Sequence, residues 1–215
     1  MKIISLSYSE AGYACSIGTS IKIKYNLTTN FFDYLVVDMS TINEILNLSN
    51  LELLLSNYEI NKIKNHEYNS VTNKNFKKFI SYHDLKNNYN EKDIQIFKNK
   101  YLRRYYRLMN DIYNEKIIYF IRYGKTSYEE IINLYNNILK KNEKLIIYFI
   151  NVDYDNNNNE NIIYDDLPRY IYINFKNINK NIIEKEDIYF KILEYNWDFV
   201  FNLIEKNYKL YMSNN

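Results

Sequence analysis

The chain has 215 residues, 47% hydrophobic and 25% charged, with one cysteine and a formal net charge of +2 at pH 7. That length supports one sizeable core, the hydrophobic content excludes the disordered class, and the near-balanced charge lacks the basic footprint of a nucleic-acid binder. A single cysteine excludes an internal disulfide, which suits a reducing, cytoplasmic setting. The 25 Tyr against 3 Gly and 1 Pro follow the codon bias of an AT-rich genome, so many tyrosines are expected to be packing residues. No cationic and apolar leader opens the chain, and no run approaches the roughly 20 apolar residues of a membrane span. A soluble protein without membrane association, built as a single domain over 1–215, is expected.

In chain order, Ile3 to Leu6 reads as the first buried strand. Cys15 follows among small residues (Ala11, Gly12, Ala14, Ser16, Gly18, Thr19, Ser20), and residues 14 to 25 suit a short helix with Cys15 in its first turn. Thr41 to Leu55 is an amphipathic helix capped by Ser40 or Thr41, with Ile42, Ile45, Leu46 and Leu48 on its apolar side. The polar stretch Asn57 to Asn75 reads as a mobile loop. Phe79 to Tyr82 is a second strand, closed by His83 and Asp84, and residues 91 to 114 form a helix buried through Ile94, Phe97, Tyr101, Leu102, Tyr105 and Leu108. Arg103, Arg104 and Arg107 on it suit a solvated face.

Ile117 to Arg122 and Leu145 to Val152 are further strands, and between them Ser127 with Glu130 fits the capping box of an apolar-faced helix. Strand, capped helix, strand is a βαβ unit with parallel strands. A polar, Asn-rich loop at about 154–161 is expected to be exposed and mobile. A strand at Tyr170 to Phe175 and one or two helices from Lys185 to Tyr211, anchored by Trp197, complete the chain. Continuous apolar strands suit burial on both faces. The expected fold is α/β, a mainly parallel Rossmann or flavodoxin-like sheet flanked by helices.

The carboxyl ends of parallel strands are where ligands gather in such sheets. The strands deliver Ser5 and Ser7, then His83 and Asp84, then Arg122, then Asn151 and Asp153, with Cys15 after the first. A catalytic cysteine needs a nearby base or cation to form its thiolate, and a helix N-terminus acts in the same direction. His83 is the candidate base, with Asp33 or Asp153 to orient it. The alternative is that Cys15 is a small buried hydrophobe and His83 a hydrogen-bonded histidine at a strand end. Arg122, closing a buried strand, needs a partner, for which a substrate anion is one option. Ser7, Arg122 and Asp153 are therefore the candidate substrate-binding residues. His66 sits in a polar stretch and reads as exposed. Zinc, nucleotide and G-x-S-x-G signatures are absent, so neither a metal nor another cofactor is expected.

The succession Ile4-Ser5-Leu6-Ser7, Cys15-Ser16-Ile17-Gly18, Thr29-Asn30-Phe31-Phe32-Asp33-Tyr34-Leu35, His83-Asp84, Arg103-Arg104 and Phe120-Ile121-Arg122 resembles the ordered motifs of an uncharacterised family labelled as papain-like cysteine peptidases. The likeness runs over residues 3 to 152. It implies Cys15 as nucleophile, His83 as general base and Asp33 as an orienting carboxylate. Ser7 stands where the family has glycine, the interval from Leu6 to Cys15 is longer, and Phe31 and Tyr34 replace Pro and Trp. The label implies a helical lobe carrying the cysteine against a β-lobe carrying the histidine, whereas the residues read as a βαβ sheet. Such a sheet also resembles glycan-associated acyltransferases and esterases of the flavodoxin-like kind. The expected function is a cysteine-dependent hydrolase or acyl-transfer enzyme acting on a peptide, acyl or glycan substrate. An anion or glycan-phosphate binding transferase and an inactive interaction protein are the alternatives.

Overall fold

Four apolar runs form a parallel sheet: β1 (Lys2–Ser5), β6 (Ile117–Tyr123), β7 (Ile146–Asp153) and β8 (Tyr170–Asn174), in the order β1-β6-β7-β8. The computed structural model describes residues 1–6, 14–123, 126–153, 170–174 and 186–213. Ser7 and the Asn-rich loop at 154–161 lie outside the described residues, as do the side chains of Cys15, Asp153 and Trp197. Successive residues of a strand point to opposite faces, and the sheet is apolar on both. Ile3, Ile117, Tyr119, Ile121, Ile150 and Val152 pack with α1 (Ala14–Tyr25) and α6 (Glu186–Ser213) through Ile17, Ile21, Val200, Phe201 and Ile204. Their neighbours Ile4, Ile118, Phe120, Ile147 and Phe149 join a larger cluster on the other face.

That larger cluster contains α2 (Met39–Leu46), α4 (Glu91–Asn114) and α5 (Tyr128–Leu139). The Ser127–Glu130 capping box forms as the spacing predicts, and Asn90 with Asp93 makes a second one at the start of α4. Helix 41–55 is instead two helices. Asp38, not Ser40 or Thr41, caps α2 by accepting the Thr41 amide at 2.8 Å. The chain restarts at α3 (Glu52–Leu55), where Asn50 accepts the Glu52 amide at 2.9 Å. Polar side chains at 47–50 compete with the helix for its own backbone, which ends it early.

The expectation of one mainly parallel sheet fails at the second apolar run. Phe79 belongs to β5 (Phe79–Lys86), in a separate antiparallel sheet with the order β2-β5-β4-β3, where β2 is Leu35–Val37, β3 Tyr58–Asn61 and β4 Tyr68–Asn73. His83 and Asp84 are consequently inside a strand and not at a strand end. The polar stretch 57–75 is largely a hairpin. Its inward positions include Asn69 and Asn73, whose amides donate to Lys86 O at 2.9 Å and Leu53 O at 2.8 Å. Leu35, Val37, Val71 and Phe79 of this sheet lie in the same buried cluster as the parallel strands.

Candidate active site

β5 carries His83 on a bulge. Asn69 pairs with Leu85 and Val71 with Ser81, so Tyr82, His83 and Asp84 together face the single residue Ser70 of β4. Regular alternation through Phe79, Ser81 and Leu85, all buried, would also bury position 83. The bulge turns His83 to the surface and takes Asp84 in, leaving its side chain only 5% exposed. Bulges recur beside active sites because they re-aim a side chain in this way.

Asp84 is tied down on three sides. Its carboxylate accepts from Lys100 and Tyr101 of α4, the latter at 2.7 Å, and from Ser81. Desolvation alone would raise its proton affinity, but Lys100, Ser81 and Tyr101 together hold the carboxyl below its usual range. At His83, partial desolvation and the neighbouring His66 lower the imidazole's proton affinity; Asp84 opposes them and Lys100 adds to them. The ring is thereby biased towards the neutral form a general base requires.

The second component is α1, whose first turn contains Cys15. One turn on, and on the same side of the helix, Gly18 lies against Asp33: a Cβ at position 18 would stand 2.6 Å from Asp33 Oδ1. The small residue here makes room for a buried carboxyl. Asp33 Oδ2 accepts the Asn30 amide at 2.6 Å, while Oδ1 is buried with no hydrogen-bond partner among the described residues. Desolvation pushes this carboxyl up to about 6, against the lowering effects of the Asn30 amide, Arg104, the Ser5 hydroxyl and Arg107.

Tyr34 joins the two components. Its hydroxyl lies 3.3 Å from Thr19 Oγ1, which is one helical turn beyond Cys15 on α1, and its ring meets that of His83 edge-on at 6.4 Å. The Tyr34 backbone has φ 68°, a left-handed conformation that is an outlier for a bulky residue and costs on the order of 1–3 kcal/mol. Strain of this kind clusters at functional sites. The helix carrying Cys15, the buried Asp33 and the exposed His83 are thus on adjoining elements.

The other candidates are placed differently. Arg122 is 1% exposed and donates to Leu6 O at 2.9 Å and Val37 O at 3.2 Å, tying β1 to β2. Its charge thus has partners in the backbone without a substrate anion. Asp153 ends β7, opposite Asn174 in register. The reading of Arg104 and Arg107 as a solvated face is corrected: Arg104 is 6% exposed and donates to Asp33 O at 3.4 Å, and Arg107 donates to Thr29 O at 2.7 Å. Both clamp the segment that carries Asp33. His66 is exposed, as its polar stretch suggests, but nothing in the sequence assigned Tyr34, Thr19 and His66 a place in the site, since their partners are remote in it. The positive φ at Tyr34 leaves no compositional trace.

No family model, curated protein or solved structure matches the chain. Among the described residues, no group of three or more His, Cys, Asp or Glu is arranged to hold a metal ion, and no helix is long and apolar enough to cross a membrane.

Proposed function

We propose that the protein is a cysteine-dependent hydrolase or acyl-transfer enzyme in which Cys15 attacks a carbonyl, His83 accepts the thiol proton and returns it to the leaving group, and Asp33 orients the site. The reading is carried by the Thr19–Tyr34–His83 contact, which brings the helix of the cysteine and the strand of the histidine together across a strained residue. A cysteine in the first turn of α1 gains from the positive end of the helix dipole, which favours the thiolate. Backbone amides at that helix start are candidate donors to an oxyanion.

We read the antiparallel sheet that carries His83, separate from the parallel one, as the counterpart of the β-lobe that the papain-like resemblance implies. We read the parallel part, covered on both faces, as akin to Rossmann and flavodoxin-like sheets. A peptide, an acyl ester or an acylated glycan fits the chemistry, as does a cytoplasmic setting. The test is a thiol-directed acylating probe followed by mass spectrometry of the full chain. Cys15 is expected to be acylated, and His83→Ala to slow the reaction at least about 100-fold, the lower end of general-base contributions. Equal rates in the two proteins would remove His83 from the mechanism.

A further inference from the structure

The chain has two histidines, and folding brings them together. Their ring centroids are 6.2 Å apart, and Tyr68 lies 6.2 Å from His66 and 6.3 Å from His83, so the three rings form a nearly equilateral triangle. We propose that His66 is a positioning residue for His83, fixing the ring of the base within this triangle; the inference rests on the Cys15–His83 reading above.

His66 is itself held in place. Its Nδ1 lies 3.1 Å from Tyr68 O and 3.2 Å from Tyr68 N, its carbonyl accepts Asn87 Nδ2 at 2.5 Å, and its amide donates to Ile63 O at 3.3 Å. The backbone of His66 is thus anchored to Ile63 and Asn87, and its exposed ring is oriented on β4 by the Tyr68 backbone. With Tyr68 on one side and Tyr34 on another, it leaves the His83 ring flanked by aromatic faces and edges.

The same contact is electrostatic. Among the described residues, the charged and titratable groups facing His83 include Asp84 on its own strand, Lys100 on α4, Tyr34 ahead of β2, Tyr68 on β4 and His66 between β3 and β4. Asp84 is already paired with Lys100, so their effects on His83 oppose one another. The neighbouring His66 then disfavours a proton on His83 and keeps the base ready to accept one. Two unit charges about 6 Å apart in water-like surroundings shift a titration by about half a pH unit.

The experiment uses the full chain with His66→Phe, which keeps a ring and removes the charge, and His66→Ala, which removes both. The His83 ring-proton resonance is titrated by NMR, and the Cys15 acylation rate is followed against pH. The His83 midpoint is expected to rise by about half a unit in both variants, with the acid limb of acylation moving alongside it. Above that limb, His66→Ala alone is expected to acylate several-fold more slowly. A His83 midpoint that stays in place in His66→Ala overturns the proposal. Failure of the Cys15–His83 reading looks different: His83→Ala would acylate at full rate while the His66 variants still shifted the His83 resonance.

Discussion

Gly18 and Asp33 meet so closely that hydrogen is the only side chain the contact admits, with Oδ1, Cγ and Cβ of Asp33 lying 2.6, 2.7 and 3.1 Å from where a Cβ on residue 18 would stand. Alanine within a helix is normally worth up to about 1 kcal/mol over glycine. Here the sign reverses. Asp33 is short, buried and tied to the Asn30 amide, so Gly18→Ala is expected to destabilise by about 1–3 kcal/mol, as overpacking does. Urea unfolding checks this, and Asp33→Ala in the same chain should recover most of the loss through coupling.

Asp33 also makes stability depend on pH. Its carboxyl is raised in the folded state from 3.8 to about 6, so the folded protein holds the proton more tightly than the unfolded chain. The contribution is full below about 3.8 and is lost as pH rises through about 6, amounting to about 3 kcal/mol. Asp33→Asn keeps an oxygen for the Asn30 amide but cannot ionise. Between pH 4 and 7 the unaltered chain should lose stability relative to this variant; parallel curves would show that Asp33 titrates normally.

Asp84 gives the opposite dependence in a different window. Its folded-state value is depressed, so its contribution is present above the ordinary carboxyl value and disappears as pH falls through the depressed one. Asp84→Asn strands Lys100 beside Tyr101. Breaking a buried pair costs about 3–5 kcal/mol, and the lower end is expected because Lys100 is still 26% exposed. Thermal unfolding of the two proteins at neutral pH measures it.

Tyr34 separates packing from polar contact. Tyr34→Phe keeps the ring beside His83 and loses the Thr19 partner, a change of about 0.5–1.5 kcal/mol in stability with Cys15 acylation largely retained. Tyr34→Ala removes the ring as well and is expected to reduce acylation by an order of magnitude or more. Equal acylation in Tyr34→Ala and the unaltered chain would show that the ring does not position His83.

β1, β6 and β7 were legible because their described apolar residues run continuously and are buried on both faces, and α5 because Ser127 and Glu130 are a local signal. The second sheet was not. β2 is three residues long, and Asn69 and Asn73 occupy inward positions where a pattern of apolar residues is sought. Their amides are satisfied by carbonyls up to 20 residues away, which no local window contains. Cys15, Asp33 and His83 were picked out by residue type and resemblance. What joins them, namely Gly18 against Asp33 and Tyr34 against Thr19 and His83, is a product of tertiary packing.

The bulge of β5 gives the strand two residues more than β4 between the same pair of rungs. The surplus leaves Ser81 and Leu85 both on the core side, because side-chain direction is reset inside the bulge, where His83 turns out and Asp84 turns in. A chain lacking Tyr82 and His83 sets one residue against Ser70, keeps both flanks of β5 in phase with β4 and yields the scaffold without its imidazole.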